Sequence, residues 1–218
     1  MNSAASPWPI HEWNGTAADF HALDLAHERA VWWCRVSEPT VILGSTQSAG
    51  DVDTAAATAA GISVARRRSG GGAVFVHPLD SLWIDVTIPR DDPLWVDDVS
   101  TSMLWLGDAW VAALQTWLTT RVYTGAFDAG LDGRAVCFAS TSPGEVFLDS
   151  KKLVGISQRR SRDGARLQCV LYRSWNPSQW AALLSDPSIG NRQLSLPVAV
   201  VDADPHAVVA AIAAALPR

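Results

Sequence analysis

The amino-acid sequence predicts an α+β fold, in which a mixed, mostly antiparallel sheet is flanked by helices. Two observations support this prediction: β-prone segments outnumber helical ones, and many neighbouring β-prone segments are joined by short turns. No internal repeat or low-complexity linker divides the 218 residues, a length that fits one domain. We therefore expect a single domain over residues 1–218.

The predicted strands are short apolar runs bounded by glycine, proline or polar turn residues. The run from Trp83 to Ile88 alternates apolar and polar residues, as a strand with two different faces does. The triplet Arg162-Asp163-Gly164 has the composition of a hairpin turn between two such runs. In chain order, we expect strands at residues 31–37, 40–44, 62–67, 73–77, 82–88, 145–148, 152–158 and 166–172.

The predicted helices have apolar residues at helical spacing or capping residues at their ends. Residues 51–60 are rich in alanine, with Asp51 or Asp53 placed as N-cap and Gly61 placed to end the helix. Apolar residues recur at helical spacing through residues 97–119. In chain order, we expect the end of a first helix at residues 23–30, then helices at 51–60, 97–119, 177–184 and 205–216.

Composition and charge narrow the class of function. The chain is 48% hydrophobic and 18% charged, which is ordinary for a globular protein. Its net charge of −5 argues against general nucleic-acid binding, but basic residues concentrate at 66–68 and 151–166, which favours a small anionic ligand. No secretory signal or membrane-length apolar run is visible, and Cys34, Cys137 and Cys169 are widely spaced. We expect a reduced, cytoplasmic protein without disulfides, structural zinc, nucleic acid or membrane partners.

A glycine loop preceded by arginines is the most informative segment. The stretch Arg66-Arg67-Arg68-Ser69-Gly70-Gly71-Gly72 places cations, a hydroxyl and three glycines directly before an apolar run. Glycines let the backbone approach a ligand and point N–H groups at an anion, and guanidinium groups bind phosphate oxygens bidentately. A flexible turn is the plain alternative, although a connection of this length does not require three glycines. The Walker A and Rossmann spacings are absent, so we predict a phosphate or carboxylate site of another kind.

The pair Lys151-Lys152 contains the only two lysines of the chain. Neighbouring strand residues point to opposite faces, so only one of the pair should point inward. Lys152 begins an apolar run and is the candidate, because a buried ammonium can stabilise developing negative charge. An exposed strand lysine is the alternative.

Cys137 is the third candidate, because it lies between an apolar run and Ser-Thr-Ser-Pro-Gly. Free cysteines are commonly small buried hydrophobes, whereas a nucleophilic cysteine needs a lowered pKa that a nearby cation can supply. Both interpretations stay open for Cys137. The five histidines show no metal-ligand spacing, so no metal site is expected.

Three motifs in succession resemble those of the lipoate–protein ligase catalytic domain. Residues 38–47 resemble the family's EPxxxLGxxQ run, residues 66–75 its RRxSGGGAVF loop, and residues 152–159 its KxxGxxQR strand. Asp24, late in the first predicted helix, fits the family's early LD pair. Order and spacing agree over about residues 20–175, which is most of the chain.

The resemblance implies a biotin/lipoate-ligase-like fold, without an accessory C-terminal domain, and an enzyme that attaches lipoate or octanoate to a lysine of lipoyl-carrier domains. Those carriers would belong to 2-oxoacid dehydrogenase complexes or to the glycine-cleavage system. The acid would be activated as an acyl-adenylate by ATP with its associated Mg²⁺. Lys152 would be the catalytic lysine, and the implied contacts to ATP and acyl-adenylate are Arg67, Ser69, Gly70, Gly71, Gly72, Ala73, Val74, Phe75 and Lys152.

Departures from the family pattern leave other routes open. Gln168-Cys169 stands where the family has the Gln-His of its QHGT strand, which leaves substrate orientation at that point open. Cys137-Phe138, with Glu145 eight residues after the cysteine, resembles cysteine-dependent octanoyltransferases of the same superfamily. Those enzymes pass the acyl chain from acyl-carrier protein through a thioester without ATP. The ATP-dependent ligase is the first expectation, and the alternatives are octanoyl transfer through Cys137 and a non-catalytic or partner-dependent relative.

Overall fold

Two sheets form the centre of the fold in this computed structural model, which describes residues 8–25 and 28–218. Within those residues, a seven-stranded sheet has the order β1-β2-β6-β10-β9-β8-β7 and a three-stranded sheet the order β4-β3-β5. Only β1 and β2 run parallel in the large sheet, and β3 and β4 run parallel in the small one. The strands are β1 (Ile10–Gly15), β2 (Ala30–Val36), β3 (Thr40–Leu43), β4 (Ser63–Arg66), β5 (Val74–Val76), β6 (Ser81–Pro89), β7 (Arg121–Val122), β8 (Val146–Leu148), β9 (Lys151–Arg160) and β10 (Gly164–Tyr172).

Five α-helices accompany the sheets in the described part of the chain: α1 (Ala17–Ala22), α2 (Thr54–Ala59), α3 (Leu104–Leu114), α4 (Pro187–Gln193) and α5 (Pro205–Ala215). The Asp53 side chain caps α2 by accepting from the backbone N–H of Ala55 and Ala56. Gly61 follows α2 with φ of 69°, a left-handed conformation that glycine adopts without steric cost. Every described helix is too short or too polar to cross a lipid bilayer.

The layers follow from the alternation of side chains along the central strands. Ile84 and Val86 of β6 point toward α3 and α5 and belong to the largest apolar cluster. Trp83 of β6 points to the other face, where the large sheet packs against Ile42 and Val74 of the small sheet. The small sheet is covered on its far side by α2 and the segment around Trp180. The region between the two sheets is therefore enclosed by both.

The predicted strands agree with the structure to within three residues at each end, but several helices do not. The helix predicted at 97–119 is confined to Leu104–Leu114, because Asp98 and its neighbours form hydrogen-bonded turns before it. The segment 177–184 consists of two short 3₁₀ turns. The first helix ends at Ala22, so Asp24 lies after it, and part of the predicted segment 23–30 (residues 26–27) lies outside the described residues.

Candidate functional site

A cleft lies between the two sheets and contains about 330 Å³ of empty space, partly open to solvent. The large sheet, the small sheet, helix α1 and the 3₁₀ turn Cys137–Ala139 each contribute to its wall. The lining residues are His21, Ile42, Arg67, Val74, Trp83, Cys137, Phe138, Gly155, Ser157, Gln168 and Val170.

The glycine loop after β4 forms one edge of this cleft, and its three glycines have different surroundings. A Cβ at Gly72 would lie 2.6 Å from the backbone nitrogen of Val136, and Gly71 has φ of +98°. A Cβ at Gly70 would meet nothing within 4 Å in the described structure. Gly72 is thus required by packing of the loop on its own chain, and Gly70 is the glycine with open space beside it.

Arg67 holds the loop in shape and also faces the cleft. Its Nη2 donates hydrogen bonds to the carbonyl oxygens of Gly70 at 2.8 Å and Gly72 at 2.9 Å. The residue is 5% exposed, and its Nε has no hydrogen-bond partner among the described residues. A buried N–H without a partner is costly, so Arg67 Nε can donate to a ligand oxygen at little further cost.

Arg66, in contrast, is turned away from the cleft. Its Nη1 donates to the carbonyl oxygens of Gly44 and Gln47, which ties the loop to the end of β3.

A chain of polar side chains connects the loop to helix α1 across the floor of the cleft. Ser69 Oγ donates to Gln168 Oε1 at 2.6 Å, and Gln168 Nε2 lies 3.2 Å from His21 Nδ1. Burial, together with the charges of Arg166 and Arg67, lowers the pKa of His21 to about 3. The imidazole is therefore neutral at physiological pH. No pattern in the sequence distinguishes His21 as a site residue. It lies beside β10 only because helix α1 folds over that strand.

Beneath this chain lies a buried ion pair between β6 and β10. Arg166 Nε is 2.5 Å from Asp85 Oδ2, and both side chains are almost fully buried. Arg166 Nη1 also donates to the carbonyl oxygens of Phe20 and Leu23, which fastens α1 to the large sheet. Burial raises the pKa of Asp85, and the Arg166 guanidinium opposes that shift. Arg166 thus binds Asp85 and the end of α1 through Nε and Nη1, while its Nη2 is buried without a hydrogen-bond partner among the described residues.

Lys152 lies behind the cleft wall in a second buried ion pair. Its Nζ is 2.8 Å from Glu145 Oε2 and donates to the carbonyl oxygen of Cys137 at 2.9 Å. The Lys152 and Glu145 side chains are each 2% exposed. Burial raises the pKa of the Glu145 carboxyl, while the Lys152 ammonium and two backbone N–H groups favour its charged form.

Lys151, the neighbour of Lys152 on β9, is exposed, so the predicted difference between the two lysines is present in the structure. The catalytic role of Lys152 stays a prediction.

Cys137 stands at the junction of these features. Its backbone N–H donates to Ala73 of the glycine loop at 2.8 Å, and its side chain lines the cleft. It is half-buried, whereas Cys34 and Cys169 are buried, and burial raises the pKa of both of those thiols. Cys169 belongs to the cluster packed against α3 and α5, so a side chain at that position points away from the cleft.

Among the residues singled out from the sequence, Arg67, Val74 and Cys137 line the cleft directly. Ser69 reaches its floor through Gln168. Phe75 points away and stacks on Trp180, with ring centroids 6.1 Å apart. No group of three or more His, Cys, Asp or Glu side chains that could hold a metal ion occurs in the described residues.

The sequence matches one protein-family model, and the fold is similar to that of several solved structures. Residues 16–204 match the family model of the lipoyl protein ligase A/B catalytic domain. A Thermoplasma acidophilum protein with bound lipoic acid superposes with a TM-score of 0.71 at 21% identity, covering 94% of this chain and 81% of that one. A lipoate-protein ligase A bound with ATP has a TM-score of 0.69 at 20% identity, covering 94% and 82%.

A bi-partite lipoate protein ligase of Thermoplasma acidophilum, described with its E2 lipoyl domain, has a TM-score of 0.71 at 19% identity, covering 95% and 81%. No curated protein matches the sequence. At these identities the structural likeness shows a shared fold, and the predicted α+β class is confirmed.

Proposed function

Because the chain belongs to the family of the lipoyl protein ligase A/B catalytic domain, we propose that it attaches lipoate, or its octanoyl precursor, to a lysine of lipoyl-carrier domains. A relative of the same fold is described with its E2 lipoyl domain, which supports a carrier of this kind as the acceptor. The proposed carriers are those of 2-oxoacid dehydrogenase complexes or of glycine cleavage. The cleft supplies an apolar lining for an aliphatic chain and unpartnered donors for its polar end.

One observation makes us favour one route to the acylated lysine: Cys137 is half-buried and lines the cleft, and its backbone is hydrogen-bonded both to Ala73 of the glycine loop and to Lys152. The first expectation from the sequence was an ATP-dependent ligase, in which no side chain carries the acyl group. A cysteine at this place supports acyl transfer through a thioester. We therefore assign the thioester route to this site.

The thioester route has two steps. The Cys137 sulfur attacks the carbonyl of an octanoyl thioester on an acyl-carrier protein, the carbon–sulfur bond to the carrier breaks, and the carrier leaves as a thiol. The amine of the acceptor lysine then attacks the Cys137 thioester, an amide forms, and the Cys137 thiol is regenerated.

Both steps develop negative charge on the acyl oxygen. The Lys152 ammonium is adjacent to Cys137, because it donates to the backbone carbonyl oxygen of that residue, and we assign it to stabilise this charge.

The ATP-dependent route is the second candidate, and the Arg67 Nε favours it. This donor is buried, has no partner among the described residues and belongs to a residue that lines the cleft, as a phosphate-binding group would. A relative of the same fold is bound with ATP. In this route the carboxylate displaces pyrophosphate from ATP, and the acceptor lysine then displaces AMP from the acyl-adenylate. Mg²⁺ would arrive with the ATP as part of the substrate.

Intact-protein mass spectrometry separates the two routes. Wild-type protein incubated with octanoyl-acyl-carrier protein is expected to gain one octanoyl group, which hydroxylamine removes because thioesters are cleaved by it. Cys137→Ser should gain no such group, whereas Cys34→Ala, which removes a buried cysteine away from the cleft lining, should gain it as the wild type does.

A parallel incubation with ATP and octanoate measures pyrophosphate. Pyrophosphate release by both wild type and Cys137→Ser, without an acylated enzyme, would refute the thioester route and establish the second candidate. If neither reaction occurs and a lipoyl domain is not acylated, both routes are refuted and the chain is a silent or partner-dependent relative.

A further inference from the structure

We propose that His21 binds the acyl ligand by donating a hydrogen bond from Nε2 to the acyl oxygen, an inference that rests on the proposed function. His21 is 6% exposed and lies in the cleft wall, and its Nε2 has no hydrogen-bond partner among the described residues. A buried polar atom that faces a cleft and lacks a partner in the protein is a place where a ligand atom can bind.

The neighbouring amide fixes which imidazole nitrogen carries the proton. Gln168 Oε1 accepts from the Ser69 hydroxyl, so the Gln168 amide nitrogen is the atom that faces His21 Nδ1 at 3.2 Å. An amide nitrogen only donates, and Nδ1 must therefore accept. In a neutral imidazole the proton then resides on Nε2, which makes Nε2–H an unpartnered donor on a residue of the cleft wall.

The charges around His21 keep it neutral and point to an oxygen as its ligand atom. Arg67 and Arg166 both disfavour the imidazolium, and burial has the larger effect in the same direction. Asp85, the acid on the same floor, is engaged by Arg166 and Trp83, and it lies 3.5 Å from the Gln168 amide nitrogen. The His21 ring also lies against Trp83, with centroids 4.7 Å apart.

A second unpartnered donor, the Nε of Arg67, belongs to another residue that lines the same cleft, at the start of the glycine loop. The hydrogen-bonded chain through Gln168 and Ser69 connects His21 to that loop. Two unpartnered donors on residues that line one cleft fit the polar end of the ligand, namely the carbonyl or carboxylate oxygen that octanoate and lipoate share. The apolar lining residues Ile42, Trp83 and Val170 remain for the hydrocarbon.

Two isosteric substitutions test this assignment. His21→Asn keeps an acceptor near the position of Nδ1 but has no donor at the position of Nε2. His21→Gln places an amide donor near Nε2 but loses the Nδ1 acceptor. If His21 binds the ligand, His21→Asn should weaken octanoate and lipoate binding alike, on the order of 3- to 10-fold in calorimetry, the value of one neutral hydrogen bond. His21→Gln should stay within about twofold of the wild type.

A merely structural role gives the reverse pattern, since His21→Asn would preserve the bond to Gln168. Wild-type affinity in His21→Asn, equal losses in both variants, or a loss for lipoate alone would each overturn the assignment. Absence of octanoate and lipoate binding to the wild type would overturn it as well. The proposed function falls only if acyl transfer to a lipoyl domain also fails, so the two failures are distinguishable. The ratio of wild-type to His21→Asn affinity should be constant from about pH 5 to 8, because His21 does not titrate there.

Discussion

Replacing Lys152 by alanine tests the buried ion pair behind the cleft. The substitution removes the only cation within bonding distance of Glu145 in the described structure and leaves a carboxylate that is 2% exposed. Breaking one side of such a pair costs about 3–5 kcal/mol, because the remaining charge stays desolvated. From the sequence alone, the same change is expected to spare the fold, since a strand lysine fills little core volume. The buried partner reverses that expectation.

Urea unfolding followed by circular dichroism measures this cost, with Lys151→Ala as the matched control. Lys151 precedes Lys152 on the same strand but is exposed, so its removal should change the free energy of unfolding by less than about 0.5 kcal/mol. Removing both charges in Glu145→Leu/Lys152→Met should recover most of the loss, because apolar replacements of a buried pair are often neutral.

The pH dependence of Lys152→Ala provides an independent check. The pKa of Glu145 is already raised by burial, and loss of the Lys152 ammonium raises it further. An acid with a raised folded-state pKa destabilises the fold to the full extent above that pKa, and the cost declines as the pH falls from there to the ordinary value of 4.5 that applies in the unfolded chain. The deficit relative to wild type should therefore be largest near pH 8 and shrink as the pH falls.

Acyl transfer should fall by about 10²–10³ in Lys152→Ala, the value of one oxyanion donor. The reasoning on the ion pair is refuted if Lys152→Ala unfolds within about 1 kcal/mol of both the wild type and Lys151→Ala at pH 8.

The remaining predictions concern the loop, the thiol and the floor of the cleft. Gly72→Ala should lower the free energy of unfolding by about 1–3 kcal/mol, since its Cβ would lie 2.6 Å from a backbone nitrogen, while Gly70→Ala should be near neutral in the same urea titration. Arg67→Ala leaves two loop carbonyls without their donor and should cost about 1–3 kcal/mol in that assay, with weaker binding of octanoate in calorimetry. A thiol reagent should modify Cys137 alone in native protein and all three cysteines after denaturation; rapid native modification of more than one would contradict the burial of the others. The unfolded chain binds a proton at His21 below its ordinary pKa of 6.5, whereas the folded protein does so only near pH 3. The free energy of unfolding should therefore fall as the pH drops from 6.5 to 3, by at most about 5 kcal/mol at 1.36 kcal/mol per pH unit. His21→Asn should show a smaller fall over the same range.

Local sequence pattern was sufficient for the parts of the site that lie on strands and turns. The hairpin turn predicted at residues 162–164 joins β9 to β10, and the antiparallel pairing of those strands brings the motif around Lys152 beside Gln168. The glycine loop borders the cleft, as expected for a segment with such backbone freedom. The family resemblance, which rested on these same segments, is confirmed by the match over residues 16–204.

The partners of the charged residues could not be predicted in this way, because they are far apart in the chain. Arg166 pairs with Asp85, a separation of 81 residues, and its membership of a basic segment suggested a ligand contact instead. His21 meets Gln168 across 147 residues, since α1 folds over the strand that contains Gln168. Spacing rules detect neighbours on one helix or strand, and neither pair is of that kind.

In strand β6 the alternation of apolar and polar residues is as predicted, but the polar face is buried because further parts of the chain cover it. Alternation from Trp83 to Ile88 is typical of a strand with one face on the core and one in water. The apolar face does pack on α3 and α5, but Asp85 and Thr87 on the other face are each 0% exposed. Helix α1 and the described residues just before β2 cover that face: Arg166 binds both Asp85 and the end of α1, and Thr87 donates to the carbonyl oxygen of Glu28. Buried polar groups are tolerated when each has a hydrogen-bond partner, as Asp85 and Thr87 do here, directly beneath the cleft. The polar face of β6, which local pattern assigns to solvent, therefore supports the floor of the cleft, where His21 keeps one donor free for a ligand.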